Sequence, residues 1–315
     1  MVRRFQTRDH LRPEVATEYA VDWCPICDFG RIAGQFTAPE VASFYAPGYY
    51  THLADAAEDR RASLFHRLRL HLAWKADNGV VLSPAEIPAS HPAATLCDVG
   101  CGGGHAMALF RKAGYDVVGV EPDPCARALA SNVGEVFDGT AEALPAELQN
   151  RKFSVVLLSH VLEHCIDPTL ALGAIRSLLA PGGTAIFEVP NNGARGFRMY
   201  GPGWFFADVP RHLQFFTERS LRKAMTAAGF RVTRVIYTGY SRQFSPQWLA
   251  SQQSIRECTG QDTGASWRSN SWRLLASTAF ASPAEKYDSI RIHAVHAAEA
   301  FPGVETSRTI TPAAA

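Results

Sequence analysis

Apolar and polar positions fall into blocks along the middle of the chain. Residues 95–99 (Thr-Leu-Cys-Asp-Val) form a short apolar run that predicts a buried strand. Gly100-Cys101-Gly102-Gly103-Gly104 follows as a turn. Residues 105–113 then place Ala106, Leu109, Phe110 and Ala113 on one helical face, and Gly114 ends the helix as a glycine at C′ does. Residues 117–120 predict a second strand with Glu121 at its end. Asp123-Pro124 opens a helix through about residue 131, with proline at the first helical position. Residues 135–137 predict a third strand. The unbroken apolar run 153–159 reads as a central parallel strand buried on both faces. Asp167 and Pro168 suit the N-cap and first position of a helix over 169–179. A buried strand at 184–189, a long loop at 191–215, a helix from Thr217 to Ala228 and a sixth strand at 231–237 complete the alternation.

The flanks are less regular. Residues 1–22 read as a mobile lead-in. Residues 54–77 predict a helix with Leu64, Phe65, Leu68 and Leu72 on one face and Arg60, Arg61, Arg67 and Lys75 elsewhere. Residues 83–92 read as a proline-rich linker. Residues 247–258 suggest a helix, 283–301 a terminal helix, and 306–315 a disordered tail. The division that follows is an N-terminal extension over 1–92, a central domain over 93–282, and a helix and tail over 283–315.

Composition narrows this picture. With 47% hydrophobic residues in 315, the chain can bury one main domain of about 200–250 residues plus appendages. A net charge of +1 gives no global attraction to nucleic acid or anionic membrane, so neither is expected as a partner. The N-terminal residues lack the apolar segment of a secretory signal, and no apolar run is long enough to span a bilayer. Seven scattered cysteines suggest reduced thiols and a cytoplasmic setting.

Strand, glycine turn, helix, strand and acid make a nucleotide-type βαβ unit, with Glu121 placed to accept hydrogen bonds from a ribose diol. Two cofactors compete. A dinucleotide turn needs a third glycine where this chain has His105. The frame Gly100, Gly102, Gly104, with Asp98 two residues before it, fits instead. Outside this unit, Cys24-Pro25-Ile26-Cys27 has the spacing of half a zinc site. No second pair follows, and His52, His66 and His71 are the candidate partners. A merely packed pair is the competing reading.

DVGCGGG, GVEPDP, SHVLEH and LLAPGGTAIFEVPN occur in an order and spacing that resemble class I S-adenosylmethionine (SAM) dependent methyltransferases. The segment W…DVPRHLQFFT is similar to a subgroup that includes ubiquinone-type O-methyltransferase relatives. The resemblance covers about residues 93–238. It implies a Rossmann-like α/β fold: a mostly parallel seven-stranded sheet with helices on both faces, here with a helical Cys-x-x-Cys extension. Its last, antiparallel strand would fall at 272–280.

The resemblance further implies SAM as cofactor. Asp98, Gly100, Gly102, Gly104, Glu121, Pro122, Thr140, Ala141, Ser159 and His160 would lie around it. Thr140 stands where the family often has an acid for the adenine amino group, with Glu142 two residues later. Methyl transfer is an in-line displacement that needs orientation and, for an oxygen or nitrogen acceptor, a base. His212 in the loop is the first candidate base. Arg211 is the candidate anchor for a carboxylate or phosphate, Asp208 the group orienting either, and Trp204, Phe205 and Phe206 candidate pocket walls. The alternative is that Asp208, Arg211 and His212 only knit the loop. The expected activity is methyl transfer to a small-molecule, sugar or lipid-intermediate acceptor, most readily at oxygen. A non-catalytic SAM-binding module and a nicotinamide-dependent oxidoreductase are the alternatives. Oligomeric state is not legible.

Overall fold

The computed structural model describes residues 1–45, 64–87, 94–260 and 267–297. Its strands, in chain order, are β1 (Val2–Arg8), β2 (Glu18–Cys24), β3 (Phe29–Ile32), β4 (Thr95–Val99), β5 (Asp116–Val120), β6 (Glu135–Phe137), β7 (Phe153–Ser159), β8 (Leu179–Pro190), β9 (Gln214–Phe215), β10 (Phe230–Thr238) and β11 (Ser289–His296). Its helices are α1 (Ala38–Ser43), α2 (Leu64–Ala76), α3 (His105–Lys112), α4 (Pro124–Ala130), α5 (Pro168–Leu178), α6 (Arg195–Tyr200), α7 (Glu218–Ala227), α8 (Pro246–Cys258), α9 (Trp267–Thr278) and α10 (Pro283–Lys286).

The main sheet has seven strands in the order β10-β11-β8-β7-β4-β5-β6. β4 pairs in parallel with β5 and β7, β5 with β6, and β7 with β8. β11 runs antiparallel to both β8 and β10. The caps read from sequence form: Asp123 accepts the Ala126 N–H at 2.7 Å, Asp167 that of Thr169 at 2.8 Å, and Thr217 that of Ser220 at 3.3 Å. β7 is buried from Phe153 to Leu158, and core side chains pack on both of its faces: Val156 and Leu158 in one cluster, Val155 and Leu157 in another.

Several expectations are corrected. Residues 1–22 are not a lead-in: β1 and β2 pair antiparallel and continue through β3 to β9 in a second, four-stranded sheet. Phe5, Val21 and Trp23 join a cluster with Phe197, Trp204 and Phe215, so this hairpin is held by core contacts. The last antiparallel strand is β11, not 272–280, which falls in α9; the helix expected over 283–301 is reduced to α10. The boundary at residue 282 therefore cuts the main sheet. Finally, α2 points its apolar stripe outward. Leu64, Phe65, Leu68 and Leu72 are exposed, while Arg69 and Ala73 face inward, with Arg69 bonded to Ser271 at 2.7 Å. Residues 54–63 of the expected helix, and His52, lie outside the described residues.

Candidate active site

The carboxyl ends of β4, β5 and β7 meet at the glycine turn, where open α/β sheets bind ligands. Gly100 has φ +76°, and a Cβ there would come within 2.3 Å of Val161 Cγ2. Gly104, at φ +83°, is the N-cap of α3, and its Cβ would meet Ala130 at 3.0 Å. Both positions combine a left-handed backbone with close packing, so the turn admits only glycine. Glu121 ends β5 almost buried. Its Oε2 accepts the Gly102 N–H at 2.8 Å, and its Oε1 the Asp123 N–H at 2.9 Å. Asp98 is 3% exposed, and burial, then the neighbouring Glu121, push its carboxyl up to about 7.

Around this turn, Pro122 is exposed and its carbonyl accepts from Arg127. Thr140 is exposed and its hydroxyl accepts the Ala143 N–H, while Ala141 packs in the core. Glu142 accepts the Ile166 and Asp167 N–H groups, which ties this turn to the start of α5. It is therefore committed to the fold.

Ser159 and His160 end β7. His160 adopts φ +55°. Its Nδ1 lies 3.3 Å from Glu163 Oε1 and its Nε2 3.5 Å from Glu188 Oε1, with the ring stacked on Phe206 at 5.3 Å. Burial alone would lower its pKa; the two carboxylates outweigh it and raise it to about 9, so His160 is an imidazolium near neutral pH. Glu188 shows the converse. Burial opposes its charge, but His160 and Arg291 hold it down at about 2, with Arg291 Nε donating at 2.7 Å. Arg291 also donates to Glu86 at 2.6 Å. The segment read as a linker thus supplies a buried counterion.

A pocket of about 350 Å³ opens beside Ser159, lined by Glu188, Arg291, Arg242, Asp77 and Leu82 among others. Arg242 is fixed by two bonds to the buried Asp288 carboxylate, at 2.8 and 2.6 Å. Neither Glu188 nor these arginines were singled out in the sequence. The available signal was that Glu188 lies near the end of β8 and Arg242 shortly after β10; Arg291, near the start of the antiparallel β11, carried no such signal.

The loop residues Asp208, Arg211 and His212 come together, but none of them is among the residues that line this pocket. Arg211 is fully buried. It bonds Asp9 at 2.9 and 3.1 Å and Asp208 at 2.8 Å, so its fork is filled by the protein's own carboxylates and it cannot anchor an acceptor's. Arg211, and with it His212, holds the Asp208 carboxyl well below the usual range, against the effect of burial. His212 Nδ1 donates to the Phe206 carbonyl at 2.9 Å. Burial, then the adjacent His164, lower its pKa to about 4, and it does not line the pocket. Trp204 is a core residue stacked on Tyr200, while Phe206 lies between His160 and Arg242.

Among the described residues, the group of three whose donor atoms could hold a metal is Glu163, His164 and His212, within 4.8 Å of one another. Cys24 and Cys27 gather no third such ligand among the described residues. They form the β2–β3 turn, where Cys24 Sγ accepts the Cys27 N–H at 3.3 Å and Lys223 Nζ lies 3.8 Å from Cys27 Sγ. No helix among the described residues is long and apolar enough to cross a membrane.

A family model described as a methyltransferase domain matches residues 56–235. The ubiquinone biosynthesis O-methyltransferase of Cereibacter sphaeroides is 37% identical over 125 residues, covering 37% of this chain and 50% of that protein. The protein of the same name from Azorhizobium caulinodans is 31% identical over 153 residues, covering 44% of this chain and 60% of that protein. The chain spans about half the length of these curated relatives. A solved SAM-dependent methyltransferase from Archaeoglobus fulgidus aligns over 72% of this chain and 93% of its own, with a TM-score of 0.46 and 16% identity.

Proposed function

This chain belongs to the class I SAM-dependent methyltransferase family, and we propose that it transfers the methyl group of SAM to the oxygen of a small molecule with a phenol-type or enolic hydroxyl. The observation that carries this reading is the position of Ser159, which ends β7 beside β4 and its glycine turn and also lines the 350 Å³ pocket.

The turn suits SAM. A Cβ at Gly100 would fill the space against Val161, Asp98 is buried near the end of β4, and Glu121 directly follows β5. When bound, SAM supplies an activated methyl on a sulfonium. Gly100, Gly102 and Gly104 would hold its amino acid part, Glu121 its ribose, and Ser159 and His160 would face the methionine side. Asp98 and Glu121 supply negative charge to a cationic cofactor.

The pocket restricts the acceptor. Among the described residues its lining contains no histidine or lysine, and carboxylates are weak bases. Glu188 is further held by Arg291, and Asp77 accepts the Gly79 and Ser241 N–H groups. His160 already carries its proton. An acceptor hydroxyl must therefore ionise readily by itself, and Arg242, Arg291 and the His160 imidazolium favour its anion. The name of the relatives, ubiquinone biosynthesis O-methyltransferase, agrees with oxygen as the acceptor atom. His212 contributes by fixing the loop that carries Phe206, and a zinc ion at Cys24 and Cys27 has no part in this reading.

The test is methyl transfer from SAM followed by mass spectrometry, with catechol and benzyl alcohol as probe acceptors. Methylation of catechol alone is expected. Equal methylation of the aliphatic alcohol would contradict the reading.

A further inference from the structure

The seven cysteines fall into three groups. Cys97, Cys101 and Cys165 are buried, and burial raises each thiol well above its ordinary range, which makes them inert. Cys125 and Cys258 are exposed, each the single cysteine of its helix, α4 and α8. Cys24 and Cys27 differ from both groups: they are a pair of free, half-exposed thiols on one turn.

The β2–β3 turn sets the pair side by side. The Asp28 N–H donates to the Cys24 carbonyl at 2.8 Å, which closes a single α-turn over residues 24–28. Positions three apart on such a turn are neighbours. Asp28 takes φ +56°, and its carbonyl accepts Thr217 Oγ1, the N-cap of α7, at 2.9 Å, so the turn is seated on that helix. Cys24 Sγ accepts the Cys27 N–H at 3.3 Å, which places it over the second cysteine's backbone. Lys223 Nζ, from α7, donates to Cys27 Sγ at 3.8 Å. Each sulfur therefore has a donor of its own, and each donor favours thiolate over thiol. The Cys27 N–H, then the Cys27 side chain, lower the Cys24 thiol below its ordinary range. Between the two cysteines, Pro25 and the 78% exposed Ile26 leave the turn open to solvent. A metal suits the pair less well. Two thiolates are half of a tetrahedral zinc set, no third ligand joins them among the described residues, and Lys223 puts a cation beside one sulfur.

We propose that Cys24 and Cys27 form a reversible dithiol–disulfide site that reacts with small disulfides. The Cys24 thiolate, its proton lost to solvent, attacks one sulfur of a disulfide RSSR. A bond forms from Cys24 Sγ to that sulfur, the S–S bond of RSSR breaks, and RS⁻ leaves. The Cys27 thiolate then attacks Cys24 Sγ, closing the ring and expelling the second RS⁻. Two cysteine thiols are oxidised and one RSSR is reduced to two RSH, which take up the two protons the cysteines release. A reducing dithiol reverses both steps. The Lys223 ammonium assists the second step by favouring the attacking Cys27 thiolate.

The experiment is incubation of the full chain with oxidised glutathione near neutral pH, alkylation of free thiols at timed intervals, and mass spectrometry of the peptides. The peptide carrying Cys24 and Cys27 is expected to lose two hydrogens and resist alkylation, and dithiothreitol should restore both thiols. Cys125 and Cys258 are internal references that gain glutathione and form no ring. Cys27→Ser should stop at the first step, with glutathione held on Cys24. Lys223→Met keeps both cysteines and should slow ring closure about two- to threefold, so that the mixed disulfide accumulates. Thiols at 24 and 27 that stay open to alkylation would overturn the proposal, as would glutathione on both cysteines with no ring. Loss of two hydrogens that persists in Cys27→Ser would place the chemistry elsewhere and overturn it too. Ring closure at an unchanged rate in Lys223→Met would overturn the part given to the ammonium.

Discussion

Arg211 shows how a side chain suited to ligand recognition can serve the fold instead. A guanidinium fork fits a carboxylate equally well whether the carboxylate belongs to a substrate or to the protein. Here the partners are Asp9 and Asp208, and Asp9 is itself fully buried with Arg12 at 2.7 Å. Removing one partner of a buried pair leaves an uncompensated charge, at a cost of about 3 kcal/mol. Asp9→Ala is therefore expected to lower the melting temperature by roughly 6–12 °C while leaving SAM affinity within about twofold, since neither residue reaches the glycine turn. Calorimetric melting and titration check the two halves. A weakened SAM site with an unchanged melting temperature would return Arg211 to the binding machinery.

At the scale of elements, sequence and structure agree where local chemistry dictates the outcome. The apolar run of β7, the glycine turn with its acid at the end of β5, and the caps Asp123, Asp167 and Thr217 each rest on neighbouring residues, and each forms as read. What depended on distant partners was not legible. β11 carries Arg291 and His293 among apolar residues, which disguises a central strand; Glu86 and Glu188 on other elements neutralise that arginine. β1 and β2 are polar at many positions and owe their order to Phe197, Trp204 and Phe215 far along the chain. The candidate site divides in the same way. Asp98, the glycines, Glu121, Ser159 and His160 sit at or just beyond the carboxyl ends of the neighbouring strands β4, β5 and β7, and each was readable from its own strand, whereas Glu188, Arg242 and Arg291 became visible only once β8, β10 and β11 were adjacent. A chain ending at residue 282 lacks β11 and leaves the facing edges of β8 and β10 unpaired. It should lose cooperative unfolding and near-UV dichroism; retention of a sharp melting transition would contradict the role given to β11.

The whole molecule joins two sheets with different tasks. The seven-stranded sheet presents the glycine turn, Glu121 and the pocket at one edge. The four-stranded sheet, through β9 and the Asp9–Arg211 pair, fixes the loop that carries Phe206 and His212. Charge is arranged accordingly, with the carboxyl groups of Asp98 and Glu121 at the turn and arginines in the pocket next to it. The most direct test of the account is calorimetric titration of the full chain with SAM and with NADH, repeated on Glu121→Ala. The account predicts that SAM binds, that NADH does not, and that Glu121→Ala weakens SAM by at least about tenfold, a loss on the order of one or two hydrogen bonds to a charged group. NADH binding in preference to SAM, or SAM affinity indifferent to Glu121, would contradict it.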